Sequence, residues 1–296
     1  MSVDTLASRP PSLEGATVQR SRRFRNALAA GLIWASVLVA AVPLALVVFY
    51  VLRKGLGVVD VAFLTEDIPF ESRYTGPGMG PAVVGTLLTT GAAALLSIPL
   101  GIMAAVYLNE YGRTNRLAAV IRFLSDVMAG VPSIVMGLFL YTVWVLRFGQ
   151  SGLAGALALG ALMLPIVIRS TESMLRLVPG ELREGSLALG ASRARTILTV
   201  VLPAALPGIT SGSLLAVARA AGETAPLLFT IGATNSVNLK LSEGANTSLS
   251  VQIFKNAQLP FPGPQERAWG AAFTLIALVL ILTVVARLIS ARLTVR

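Results

Sequence analysis

The run Ala27–Leu52, ALAAGLIWASVLVAAVPLALVVFYVL, holds 26 residues without a charge. An α-helix rises 1.5 Å per residue, so about 20 apolar residues cross the roughly 30 Å hydrocarbon core of a bilayer. The run is long enough to span. A basic cluster, Arg20, Arg22, Arg23 and Arg25, precedes it and looks like the charged region of a signal peptide. The apolar part of a cleavable signal is only about 7–15 residues long, so the run reads as an uncleaved first span. Residues 1–26 then read as a disordered, basic cytoplasmic tail.

Five more uncharged runs follow: Ala82–Leu108, Val127–Leu146, Phe148–Ile168, Thr196–Ala218 and Ala268–Ala286, each of at least 19 residues. The third is expected to begin earlier, near Leu117, with Arg122 and Asp126 one turn apart and able to pair. The reading is an all-α polytopic membrane protein with six spans. Its transmembrane domain covers 27–290, with a core at 82–290, and 291–296 form a short cytoplasmic tail. Composition agrees: 55% of residues are hydrophobic, 13% are charged and the mean hydropathy is +0.76, against about 25% charged in soluble domains.

The formal charge is +10, from 24 Lys and Arg against 14 Asp and Glu. No basic patch is interleaved with stacking aromatics, which argues against nucleic acid. Cationic residues instead hold loops on the cytoplasmic side. With the N-terminus inside, 16 of them fall inside and 7 outside, and Arg219 is left within the membrane. Both termini are therefore expected in the cytoplasm of a multi-pass inner-membrane protein.

The chain has no cysteine and no histidine, which removes thiol nucleophiles, Cys/His metal sites and histidine bases. Its three lysines, Lys54, Lys240 and Lys255, do not follow a glycine, so no P-loop can cradle a nucleotide. No enzyme activity, metal or bound cofactor is expected, and ATP would be used by a partner. Two long outer loops, about 53–81 and 231–267, are rich in Gly and Pro and are expected to be irregular. They are either plain connections or a docking surface for an extracytoplasmic partner.

Between the fourth and fifth spans the sequence reads ELREGSLALG over 181–190, then ASRARTILT, then VVLP over 200–203. Glu181–Leu189 is expected to form a short helix, with Pro179 just ahead and Glu181 in its first turn. Gly190 is placed for the left-handed turn after it, and Arg193 and Arg195 lead back to the bilayer. This resembles the EAA loop of ABC importer permeases: Glu-Ala-Ala, three residues, Gly, nine residues, Ile-x-Leu-Pro. Glu184, Gly190, Leu202 and Pro203 fall on the matching positions; Gly185, Ser186 and Val200 depart from them. By resemblance the loop, 179–203, is a coupling element that docks in a cleft of the ATP-binding subunit.

A narrower resemblance lies in MLRLVP at 174–179, ARAAGETAPLL at 218–228, AGVPSIV at 129–135 and GMGPAVVGT at 78–86. These are similar to the A-type permease family of phosphate transport systems. The resemblance implies the type I ABC importer permease fold and a heterodimer with a related permease. It also implies two P-loop ATPase subunits inside, a phosphate-binding protein outside, and inward movement of phosphate. Other oxyanions, such as sulfate or molybdate, are the alternative cargo. A self-sufficient secondary transporter or channel would need its own buried acid, for which Glu223 is the candidate.

Within the fifth span, Ala204, Gly208, Gly212, Ala216 and Ala220 recur every fourth residue. Such a stripe lets helix backbones approach closely, either within this chain or across to another. Arg219 lies 16 residues beyond Pro203 (219 − 203), about 24 Å along the helix. An arginine there must face a cavity or a partner, and Glu223, four residues on, shares its face. The two form either an internal ion pair or a polar gate or anion contact in the pathway. At the inner end of the fourth span, Arg169, Glu172 and Arg176 also share a face. They are an interfacial anchor or, by resemblance, Arg169 and Glu172 belong to the translocation route or its inner gate.

Overall fold

The computed structural model describes residues 20–70, 78–112 and 115–294. The expected tail up to residue 19, the turn-rich Tyr74–Pro77, Arg73, Arg113 and residues 295–296 lie outside the described residues. The chain divides into two units, 1–50 and 51–296. The described part of the first unit is helix α1 (Arg20–Gly55) up to Tyr50, and the most apolar 18 residues of α1 reach a mean hydropathy of 2.6. This helix begins at Arg20, inside the stretch read as tail.

In the second unit, α2 (Val61–Thr65) precedes α3 (Gly80–Val106), which continues through a π-helical turn at Tyr107–Tyr111. Then come α4 (Arg116–Gly130), α5 (Ser133–Leu140), a π turn at Tyr141–Val145 and α6 (Leu146–Phe148). The long α7 (Gly152–Leu177) leads to α8 (Gly180–Ala188), α9 (Arg193–Thr196), a third π turn at Ile197–Val201, and α10 (Leu202–Ala221). The chain closes with α11 (Ala225–Thr230), α12 (Leu249–Ala257) and α13 (Pro262–Thr294). Helix α13 runs through most of the expected C-terminal tail.

Among the described residues, five helical segments are long and apolar enough to cross a membrane: Arg22–Gly55, Gly80–Tyr111, Gly152–Leu177, Arg193–Ala221 and Pro262–Val285. The run at 127–146 is not the continuous helix expected. Among the described residues it falls in a pair of helices, Arg116–Gly130 and Ser133–Phe148, bent by 105°, which makes a sixth crossing only where the pair is one span and not a re-entrant loop. The cause is local. Pro132 brings no N–H to a helix and pushes its predecessor out of the α region, and Val131 (φ −68, ψ 128) and Pro132 (φ −58, ψ 135) are both extended.

Helices in lipid gain little from apolar contact with one another, so small residues decide where they meet. Gly101 of α3 sits under Val167 of α7, and Ala93, Ala156, Leu159, Met163 and Ala216 form the buried seam of α3, α7 and α10. A methyl group added to Gly208 would overlap Met174 Sδ, and one on Gly212 would overlap Ser170 Oγ. At these two positions the stripe of α10 lies against α7 of the same chain.

Neither long outer loop is irregular throughout. Asp60 caps α2, accepting from Phe63 N at 2.7 Å, and Phe63 is wholly buried. Ser248 caps α12, whose Leu249 and Val251 are buried, and Leu249 N donates to Thr86 Oγ1 of α3 at 2.9 Å. Of the Gly- and Pro-rich stretches, Pro262, Gly263 and Pro264 open α13 and do not form a turn, and a side-chain cap with a few buried apolar groups suffices to hold a short helix within each loop.

Candidate functional site

The break at Val131–Pro132 opens one wall of a cavity of about 490 Å³. Met128, Ala129, Pro132 and Ser133 line that wall, Met163 and Arg169 come from α7, Ala216 and Arg219 from α10, and Glu223 from just beyond its end. Irregular backbone at membrane depth is tolerated where it lines a cavity or is buried in protein. The lining carries two guanidinium groups, Arg169 and Arg219, and one carboxylate, Glu223. Arg219 Nε stands 3.8 Å from Glu223 Oε1, and the side chains are 70% and 20% exposed. At that distance the pair attracts without a direct hydrogen bond, so most of the guanidinium faces open volume. Glu223 lies beyond the end of α10, and its carbonyl accepts from Ser250 Oγ of α12 at 2.8 Å.

The second expected cluster divides. Arg122 does not pair with Asp126 as sequence spacing suggests. Arg122 Nε binds Glu172 of α7 at 2.9 Å, while Asp126 takes Arg169 of α7 at 2.5 Å. Glu172 also receives Arg176 at 2.6 Å and its side chain is only 10% exposed. A buried acid is held where two arginines cancel its desolvation, which α4 alone does not offer. Glu172 is absent from the lining of the cavity, whereas Arg169, one turn earlier, is present.

The EAA-like segment forms a short helix and a turn. Helix α8 starts after Pro179, and Gly190 has φ +83. Gly190 N bonds Leu187 O at 2.9 Å and Ala191 N bonds Ser186 O at 3.2 Å, closing the left-handed helix end that glycine permits without steric cost. Glu184 and Gly185 are exposed, and a methyl on Gly185 would meet nothing within 4 Å. Ser186 Oγ lies 2.9 Å from Thr196 Oγ1, joining α8 to α9. Leu202 and Pro203 begin α10 directly after the third π turn, within the continuous helical segment Arg193–Ala221. Leu182, Leu187 and Leu189 are left 47%, 47% and 90% exposed on this short helix and its end.

One residue escaped the sequence reading. Glu110, in the π turn after α3, is 5% exposed and binds Arg183 of α8 at 2.9 Å, while its carbonyl accepts from Arg193 of α9. The available signal was an acid two residues past the end of the apolar run at Leu108.

An arginine-lined cavity beside a bent helix pair, with an exposed helix–glycine turn between two long apolar helices, suits a permease of the ABC importer class. The family model described as binding-protein-dependent transport system inner membrane component matches residues 97–295. The chain belongs to that family, among its phosphate transport system permeases. The phosphate transport system permease protein PstA 1 of Mycobacterium tuberculosis (strain CDC 1551 / Oshkosh) is 44% identical over 273 residues, covering 90% of this chain and 89% of the relative. The PstA of Yersinia pestis is 42% identical over 275 residues, covering 93% and 92%. A chain from the crystal structure of a bacterial ABC transporter that imports the acidic polysaccharide alginate superposes with a TM-score of 0.58 at 16% identity. It covers 92% of this chain and 99% of that one, and shows the shared fold. The fold is that of type I ABC importer permeases, and the chain is a multi-pass membrane component that works with ATPase and binding-protein partners.

Proposed function

We propose that this chain is the A-type permease subunit of an ATP-driven phosphate importer. It pairs with a related permease, binds two P-loop ATPase subunits on the cytoplasmic side and receives phosphate from an extracytoplasmic binding protein. Both termini are cytoplasmic. The chain performs no catalysis and binds no cofactor, and ATP is used by its partners. Residues 179–203 form the coupling loop, with Glu184, Gly185, Ser186 and Gly190 presented to the ATPase and Leu202 and Pro203 leading into the span. The transmembrane domain is assigned to 27–290, with its core at 82–290.

The observation that carries this reading is the pairing of Arg169 and Arg219 on one cavity beside a bent helix pair. Arginine presents several donors in a planar fork suited to a tetrahedral oxyanion. Glu223 beside Arg219 and Asp126 bound to Arg169 offset part of that attraction, so a passing anion is drawn in without being held. Arg169, Arg219 and Glu223 therefore belong to the pathway, and Glu172 steadies its inner end through Arg122 and Arg176.

Reconstitution of the chain with its sister permease, ATPase and phosphate-binding protein tests the reading. ATP-dependent uptake of radiolabelled phosphate is expected, with sulfate and molybdate neither transported nor competing. Uptake of sulfate or molybdate in preference to phosphate would move the assignment to another oxyanion. Uptake without the ATPase would point to a secondary transporter.

A further inference from the structure

The end of α3 gathers three arginines from three other elements. Arg122 of α4 donates to Leu108 O at 2.8 Å. Arg183 of α8 donates to Glu110 Oε1 at 2.9 Å from Nη2 and 3.3 Å from Nε. Arg193 of α9 donates to the Glu110 carbonyl and lies 4.9 Å from the Tyr111 ring centroid. Asn109 Nδ2 adds a 2.7 Å hydrogen bond to Glu110 Oε1. The acid is 6% exposed in its side chain and Arg183 is 14% exposed. Arg183 also satisfies the orphan carbonyls at the end of α7, Val178 O at 2.7 Å and Leu175 O at 2.9 Å.

This arrangement differs from an exposed ion pair. Removing one partner of a buried, hydrogen-bonded pair leaves an uncompensated charge in low dielectric. Glu110 holds both limbs of the coupling loop, one on each side of Gly190, against the helix that packs along α7. From the same turn, Leu108 O leads through Arg122 to Glu172 on α7, one turn from the cavity arginine Arg169. Arg183–Glu110 therefore joins α8 to the turn after α3, Arg122 joins that turn to Glu172, and the last step to Arg169 runs along α7 itself. The π-helical turn that carries Glu110 is a local departure from α-helix of the kind found at functional positions.

We infer that Glu110 is a positioning residue for coupling: it ties α8 and α9 to α3, so that displacement of the loop reaches the transmembrane helices. This rests on the importer reading above. The test uses the whole complex in proteoliposomes and measures phosphate moved per ATP hydrolysed, together with stimulation of hydrolysis by loaded binding protein. Glu110→Gln is expected to retain the ATPase subunits on purification while lowering phosphate per ATP at least fivefold. Arg183→Gln should do the same, and the double variant should lose little more than either single one. If Glu110→Gln does not reach the membrane, Glu110→Asp serves. It keeps the charge but shortens the reach, and should show an intermediate ratio at wild-type abundance. An unchanged ratio in Glu110→Gln or Glu110→Asp overturns the inference, as do losses that multiply in the double variant. A wild-type complex whose hydrolysis ignores phosphate would overturn the importer reading and this inference together, so the two failures are distinguishable.

Discussion

Arg219 and Glu223 stand 3.8 Å apart at the end of α10, the arginine largely open to the cavity and the glutamate anchored through its own carbonyl to Ser250. A structural ion pair would show the reverse, with both charges closed off and in hydrogen-bond contact. Arg219→Gln is therefore expected to lower phosphate uptake at least tenfold with normal membrane abundance, and Arg219→Lys to be partly active. Glu223→Gln should be milder. The exchange Arg219→Glu with Glu223→Arg should not restore transport; full uptake by the exchanged pair would make this a purely structural contact.

The two glycine positions on α10 and the one on α8 predict opposite outcomes. Gly212→Leu drives a side chain into Ser170, and overpacking of this kind costs about 1–3 kcal/mol. A lower thermal midpoint and reduced abundance are expected. Gly185→Ala enters open space on an exposed helix and should stabilise α8 by roughly 0.5–1 kcal/mol with transport intact. Loss of folding in Gly185→Ala would show that α8 is more confined than its open surroundings indicate.

Coupling should fail when the exposed face of α8 or its glycine turn is altered. Glu184→Lys is expected to leave the permease in the membrane but weaken retention of the ATPase at least fivefold in pull-down. Gly190→Val places a β-branched residue at φ +83, a conformation such residues rarely adopt. It should reduce phosphate-stimulated hydrolysis in the assembled complex. Normal uptake by both variants would leave α8 without a role in coupling.

Because the chain lacks cysteine, single cysteines map its orientation directly. Ser242→Cys, on an exposed stretch between α11 and α12, should react with an impermeant thiol reagent from outside the cell. Ser192→Cys, exposed between α8 and α9, should react only after the membrane is opened. The opposite pattern reverses the topology.

The spans and the α8 turn were legible because each rests on local signals: uncharged length for the helices, and Glu184, Gly190 and Pro203 in fixed register for the loop. Of the cavity arginines, Arg219 was legible because a guanidinium far along an apolar helix demands an explanation, and Arg169 through resemblance alone. What could not be read was long-range pairing. Helical spacing offered Arg122 to Asp126, yet both turn to α7, where Glu172 and Arg169 stand opposite. Glu110 was invisible for the same reason, its partners lying 73 and 83 residues away. Hydropathy was blind to Pro132, which leaves the run apolar while breaking the helix.

That break has a chemical consequence. Helices α4 and α5 meet at a 105° bend whose two extended residues, Val131 and Pro132, both line the cavity, so peptide groups outside a regular helix lie at its edge. A peptide dipole is the same whichever residue bears it. Replacing Met128 or Ala129 changes the width of this wall while leaving much of its polarity in place. Only a change that lets α4 and α5 rejoin into one straight helix, such as replacement of Pro132, would turn the main chain back on itself and make the wall oily.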